Sequence, residues 1–306
     1  METATARVID LAPQRGLTMA HVNSFIAAMD NTPKTKSIYY RAIKRFFAFI
    51  DTDQPTKADF HEYRQHLSET VAPRTAGLYL TSARLFFTWL EENGQYQNIS
   101  RGTKGFKVSK NHSKDHFTPE QVRDIIASAT NSRDRSIIML MITAGLRCIE
   151  IARANIEDIR NAGADTVLYL QGKGRNSKDE YVKISNSTLK ALMAYLQTRK
   201  DPKPTDPLFT SEANRNSGGR LTTISISRIV KNTMKAAGYD SNRLTAHSCR
   251  HTAATLNLLA GASIQETQQL LRHSNINTTM IYLHNLERIK NNSEQRIDDL
   301  IFGGTK

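Results

Sequence analysis

Apolar residues recur at helical spacing through the first third of the chain, predicting four helices over about 18–30, 34–50, 56–69 and 73–92. Turn-rich segments, NTPK, DTDQPT and SETVAP, separate them. In the second helix Ile38, Ile43, Phe46, Phe47 and Ile50 form an apolar stripe, while Arg41, Lys44 and Arg45 occupy the other side. One face is built to pack, and the other is either a solvated helix face or one that meets phosphate. Arg74 and Arg84 repeat the arrangement in the fourth helix.

The pattern stops at RGTKGFKVSKNHSK, which places Arg101, Lys104, Lys107, Lys110 and Lys114 at near-regular intervals without an acidic residue. Such a strip follows a polyanion backbone or simply stays soluble as a linker. Thr118-Pro119-Glu120-Gln121 then reads as a helix start, with Thr as cap, Pro in the first turn and Gln closing a capping box. Helices are predicted over about 118–130 and 133–144, then strands near 156–160, 166–171 and 180–184, where Val, Ile, Leu and Tyr concentrate. The remainder reads as helices over about 186–199, 222–237, 248–260, 264–272, 276–283 and 286–300. The fold class is therefore mainly α with a small three-stranded antiparallel sheet. A helical domain covers 1–107, a basic linker 108–117, and a second domain 118–306, ending in a helix over 286–302.

Composition adds charge to this picture. Of 306 residues, 42 are Lys or Arg and 29 Asp or Glu, a net charge of +13 that favours a polyanionic partner. Sixteen basic residues stand against ten acidic ones through Lys114, and twenty-six against nineteen after it, so both halves carry an excess and a one-sided basic tail is excluded. Cys148 and Cys249 lie far apart, and no Cys/His spacing suits a metal. With no apolar run long enough to span a bilayer and no signal-peptide pattern at METATARVIDLAPQRG, the expected location is the cytoplasm, away from membranes.

Four segments carry candidate chemistry. In ITAGLRCIEIARANIEDI, Arg147 follows a Gly-Leu turn with Glu150 three residues on; taken alone this is as easily a surface ion pair. QGKGRNSKDEY is a Gly-rich basic hairpin that carries Lys173 at its tip, without the glycine spacing of a P-loop. In LTAHSCRHTAATLNLLAGASI, His247 and Arg250 share one face at a helix start, where backbone N–H groups and the helix dipole also favour an oxyanion. His251 points about 100° from Arg250 and reads as structural. In QQLLRHSNINTTMIYLH, His273 follows a helix, and Tyr282 lies on a short helix that Asn277 or Thr278 is placed to cap. On its own Tyr282 reads as a core tyrosine.

Taken together, in this order and over about 140–285, these segments resemble the catalytic domain of the tyrosine recombinase, or phage integrase, family. The Arg of the family's T-G-L-R-x-x-E segment falls on Arg147, with Glu150 as its supporting acid, and the hairpin Lys on Lys173. The H-x-x-R pair falls on His247 and Arg250, the His of L-L-G-H on His273, and the nucleophile on Tyr282. The first half is similar in layout to the family's helical core-binding domain. Ser248-Cys249 stands where the family often has Leu, and Arg272 replaces the Gly before His273, which puts the local turn in question and offers a further phosphate contact.

The resemblance implies a DNA strand transferase acting through a 3′-phosphotyrosyl intermediate, for integration or excision, inversion or dimer resolution. Guanidinium forks suit the phosphate oxygens. Lys173 is implied as acid for the 5′ oxygen, and His247 is the favoured base for Tyr282, since a phenol near pKa ~10 is a poor nucleophile at neutral pH. Because the covalent link conserves bond energy, no cofactor, metal or ATP is expected. The implied partners are double-stranded DNA with paired recombination sites and three further copies of the chain, in a homo-tetramer. Leu286, Ile289, Ile297, Leu300, Ile301 and Phe302 form the apolar side of a tail helix expected to dock in trans, with docking onto its own domain as the alternative. Arg41, Lys44, Arg74, Lys104 and Lys107 are the candidate DNA contacts outside the catalytic set. A type IB topoisomerase-like enzyme, or a DNA-binding regulator with vestigial residues, remains the competing reading.

Overall fold

The computed structural model describes residues 16–107, 115–172 and 175–303, and the chain divides into two compact units, Met1–His112 and Ser113–Lys306. The first unit holds α1 (Met19–Ala28), α2 (Pro33–Phe49), α3 (Lys57–Thr70) and α4 (Pro73–Glu92). Its core is aromatic: Phe46 meets Phe60, Tyr63 and Phe87 at centroid distances of 5.8, 5.0 and 5.4 Å. The stripe on α2 turns inward as its period requires, with Ile43, Phe46 and Ile50 buried, while Arg41, Lys44 and Arg45 are exposed.

The second unit contains α5 (Pro119–Ala127), α6 (Ser132–Thr143), α7 (Cys148–Arg153), α8 (Asn186–Leu196), α9 (Thr223–Ala236), α10 (Ala246–Leu259), α11 (Ile264–Leu271), α12 (Asn277–Lys290) and α13 (Ser293–Phe302). Between α7 and α8 runs an antiparallel sheet in the order β1 (Ile159–Ala162), β2 (Asp165–Leu170), β3 (Glu180–Lys183), with Ile159 opposite Leu168 and Val167 opposite Lys183. This is the mainly helical fold with a three-stranded sheet that the sequence pattern predicts. Helix α6 is buried at Ile137, Ile138, Leu140 and Met141, and packs on α5, α8, α9 and α10, which makes it the centre of the unit.

Three local differences from the sequence reading have physical causes. The first strand starts later than expected, because Asp158 accepts a hydrogen bond from the Asn155 amide at 2.6 Å and closes a 3₁₀ turn over Ile156–Asp158. Helix α7 is absent from the expected helices, being only 6 residues long, less than two full turns of pattern. The tail is not one helix over 286–302: α12 runs unbroken to Lys290, and the break falls at Asn291-Asn292. No Gly or Pro interrupts 283–286, whereas Asn291 takes extended backbone and its side chain accepts from the Ser293 amide at 3.0 Å. Among the described residues no helix is long and apolar enough to cross a membrane.

Candidate active site

The turn after α6 builds the first part of the site. Gly145 has φ +60°, and a Cβ there would sit 2.9 Å from Leu271 Cδ2, so both backbone conformation and close approach call for glycine. Arg147 follows as the N-cap of α7, in extended backbone. Its amide donates to Glu150 Oε2 at 2.8 Å and its Nη1 to Oε1 at 2.6 Å, so this half-buried guanidinium is held by a carboxylate out of solvent contact. Burial alone would raise the Glu150 carboxyl; Arg272 and Arg147 outweigh it and hold the group below its ordinary value.

Helix α10 brings the second arginine. Arg250 is 1% exposed and donates Nη1 to the Gly145 carbonyl and Nη2 to the Leu271 carbonyl, so it ties the α6–α7 turn to the end of α11. Burial first, then the neighbouring Arg147 and Arg272, lower its pKa to about 9, which leaves it charged at neutral pH. The departure at Ser248-Cys249 is accommodated inside the protein. Ser248 is buried and its hydroxyl accepts from the Thr245 amide at 3.1 Å, capping α10, and Cys249 joins the core of the unit.

Helix α11 ends in a left-handed residue, Arg272, at φ 52° ψ 48°, the conformation that Gly adopts without strain. The turn is therefore kept despite the substitution. The side chain runs inward, not toward a phosphate: Nη2 donates to Glu150 Oε2 at 2.9 Å and to the Gly145 carbonyl at 3.2 Å, and Nη1 to the Leu270 carbonyl at 2.7 Å and the Ala144 carbonyl at 3.3 Å. His273 comes next, its Nδ1 2.9 Å from the Thr279 hydroxyl. Burial, then Arg250, Arg147 and Arg272, push its pKa down to about 4, so the ring is neutral at pH 7.

Tyr282 lies on α12, which packs on α10 and α11, and it is 8% exposed among Ala253, Ala254 and Leu271. Burial pushes its phenol up to about 12 against the opposing pull of Arg250 and Arg147. The helix start is capped by neither Asn277 nor Thr278: the Asn275 side chain accepts from the Asn277 amide at 2.9 Å. His247 is exposed at the start of α10, and His251 stands between it and Tyr282, with ring centroids 4.5 Å from His247 and 5.1 Å from Tyr282. His251, expected to be structural, thus lies in ring contact with two of the candidate site residues. It lies one turn on from His247 and only about 40° away around the helix, which brings the two rings together.

Lys173 lies outside the described residues. The stem of its hairpin is fixed on both sides, by Arg153 Nη1 donating to the Gly172 carbonyl at 2.9 Å and by Lys178 pairing with buried Asp158 at 2.6 Å. In the other unit, Arg41 and Lys44 occupy the exposed face of α2, and exposed Arg74 stands in the first turn of α4. Lys104 and Lys107 line a groove of about 400 Å³ with Arg64 and Phe106. Arg64 holds that segment, donating Nε to the Lys104 carbonyl at 2.8 Å with its guanidinium 5.0 Å from the Phe106 ring centroid.

Comparison with known proteins gives the family. Residues 115–288 match the phage integrase family, and residues 17–95 match the phage integrase N-terminal SAM-like domain. A tyrosine recombinase XerC of Leptospira interrogans is 30% identical over 273 residues, covering 84% of this chain and 85% of the relative. Tyrosine recombinase XerA of Pyrococcus horikoshii is 29% identical over 260 residues, covering 85% and 86%. Among solved structures, a lambda integrase dimer bound to a COC′ core site has a TM-score of 0.70 at 17% identity, covering 86% of this chain and 76% of that one. A lambda integrase tetramer bound to a Holliday junction gives 0.69 at 18% identity, covering 88% and 78%. The match to the catalytic family over more than half of the chain, together with relatives of near-full coverage, places this chain in the phage integrase family of tyrosine recombinase enzymes.

Proposed function

We propose that this enzyme cuts and rejoins double-stranded DNA at paired recombination sites through a 3′-phosphotyrosyl bond to Tyr282. The observation that carries the reading is the convergence of Arg147, Arg250, His273 and Tyr282 on one partly buried, electropositive site. A phosphodiester repels nucleophiles and has a poor leaving group, so its non-bridging oxygens must be neutralised and its leaving oxygen protonated. Arg147 and Arg250 supply the charge, and Glu150 is the carboxylate paired with Arg147. Neutral His273 donates to the same phosphate from Nε2 when the Thr279 hydroxyl donates to Nδ1.

A phenol near pKa 12 is ionised in about one molecule in 10⁵ at pH 7. Attack therefore needs a base, and His247 takes that role, the Tyr282 proton passing to one nitrogen of the intervening His251 ring as the other nitrogen gives its proton to His247. As the Tyr282 oxygen bonds to phosphorus, the 5′ oxygen departs with a proton from Lys173. The phosphotyrosyl bond keeps the energy of the broken linkage, so a 5′-hydroxyl from a partner strand reverses the step. Arg41, Lys44, Arg74, Lys104 and Lys107 of the first unit take DNA phosphates, and the cytoplasm is the site of action.

Exchange between two duplexes requires four copies, and α13 supplies the link between them. No residue of α13 is buried, and Ile297, Leu300, Ile301 and Phe302 are 57%, 86%, 63% and 77% exposed. This apolar face docks on the neighbouring copy. The reading predicts a covalent protein–DNA adduct when the chain meets a nicked duplex carrying a binding site selected from random-sequence DNA. Tyr282→Phe should bind that duplex and form no adduct; an adduct from Tyr282→Phe would refute the assignment of the nucleophile.

A further inference from the structure

Arg272 occupies a backbone conformation that disfavours side chains, so its presence calls for a return from the side chain itself. That return is a clamp. One guanidinium spans the α6–α7 turn through the carbonyls of Ala144 and Gly145, the end of α11 through Leu270, and α7 through the Glu150 carboxylate. Its side chain is 5% exposed, both terminal nitrogens are doubly engaged within the protein, and Nε is buried without a hydrogen-bond partner, so the guanidinium is turned inward.

Charge accounting gives the clamp a purpose. Glu150 carries one negative charge and faces two guanidiniums, Arg147 at 2.6 Å and Arg272 at 2.9 Å. Without Arg272, the carboxylate would neutralise Arg147, the cation meant for the phosphate. With Arg272 in place, the inner pair is balanced and the half-exposed charge of Arg147 stays available. The same bonds hold the α6–α7 turn, whose Gly145 carbonyl also takes Arg250, against the residue that precedes His273.

We propose that Arg272 is a positioning residue for the reaction: it clamps Glu150 and the turn at 144–145 so that Arg147, Arg250 and His273 share one geometry and the charge of Arg147 stays uncommitted. This deepens the phosphotyrosyl reading and rests on its assignment of Arg147 and Arg250 to the phosphate.

The test uses the full chain, with Arg272→Gly, which fits the left-handed backbone and deletes only the clamp, and Arg272→Lys, which keeps the charge without the fork. Single-turnover adduct formation on the nicked duplex should fall on the order of 10²-fold in Arg272→Gly, with duplex affinity within about twofold of wild type. Arg272→Lys should recover part of the rate. In DNA-free protein, the ¹⁵N signal of the Arg147 Nε–H should shift and broaden in Arg272→Gly. An adduct rate within about threefold of wild type, or a rate loss matched by an equal loss of affinity, would overturn the proposal. If wild type forms no adduct, the phosphotyrosyl reading fails instead, and the Arg147 signal still decides whether the clamp exists: unchanged in Arg272→Gly, it does not. Should Arg272→Gly fail to fold, a wild-type adduct rate in Arg272→Lys overturns the proposal, and a rate at least about tenfold lower at unchanged affinity supports it.

Discussion

Replacing Glu150 with Gln tests the electrostatic core of the site without any knowledge of the DNA target. The carboxylate accepts three hydrogen bonds, from the Arg147 amide, Arg147 Nη1 and Arg272 Nη2, at 2.8, 2.6 and 2.9 Å. A hydrogen bond to a charged group is worth about 1 kcal/mol more than a neutral one. Gln has the same shape but must also turn an NH₂ group toward an arginine, so the loss is about 3 kcal/mol, at the low end for breaking a buried pair. In a domain of this size that lowers the melting temperature by roughly 6–12 °C.

The pH dependence gives the stricter check. The folded-state carboxyl is held below its ordinary value of 4.5, so its contribution is fully present above that pH and is lost as pH falls through the folded-state value. The gap between wild type and Glu150→Gln, followed by urea titration with circular dichroism, should be widest near neutrality and close below about pH 4.5. A gap under ~1 kcal/mol at pH 7, or one that persists undiminished at acid pH, refutes the idea that Glu150 is a buried anion between two guanidiniums.

Gly145→Ala should cost about 2 kcal/mol, since it combines positive φ with a 2.9 Å approach to Leu271 Cδ2, and calorimetry reads it directly; an unchanged melting temperature would contradict the turn. The His273 imidazole should titrate near pH 4 by NMR in free protein, and upward of that once duplex binding offsets the guanidiniums. Because this folded pKa lies below 6.5, stability falls as pH drops from 6.5 toward 4, and His273→Gln should blunt that fall. A stop codon after Asn292 should leave the urea midpoint of the free protein within error, as no α13 side chain is buried, while abolishing assembly of four copies on paired sites. Assembly of the truncated chain, seen by native mass spectrometry, would count against docking in trans.

Much of this architecture is legible in the sequence because local chemistry announces it. Thr118 and Gln121 exchange capping bonds at 3.3 and 2.9 Å, as their spacing predicts, and the α2 stripe buries the face that its period selects. The inward guanidiniums of Arg250 and Arg272 are less legible. Apart from the Arg272–Glu150 pair, their partners are backbone carbonyls of residues 144, 145, 270 and 271, whose positions arise from packing α6, α10 and α11 together and leave no side-chain signature. His251 was within reach of sequence reasoning, since its i,i+4 relation to His247 is plain, but its contact with Tyr282 depends on where α12 docks. The C-terminal break was placed early because apolar spacing alone cannot locate a boundary when no Gly or Pro marks it.

Helix α13 also bears on symmetry. A tail given to a neighbour joins two different surfaces, the apolar helix face and whatever receives it, so each contact is head to tail and leaves one donor and one acceptor unsatisfied until a ring closes. Under the proposed docking in trans, two duplexes lying side by side would hold four copies at fixed angles and supply that closure. Free in solution, such a contact would have no template and would propagate as an open chain whose length grows with protein concentration. On the proposed docking in trans, the exposed Leu300 and Phe302 make DNA the element that sets the size of the assembly.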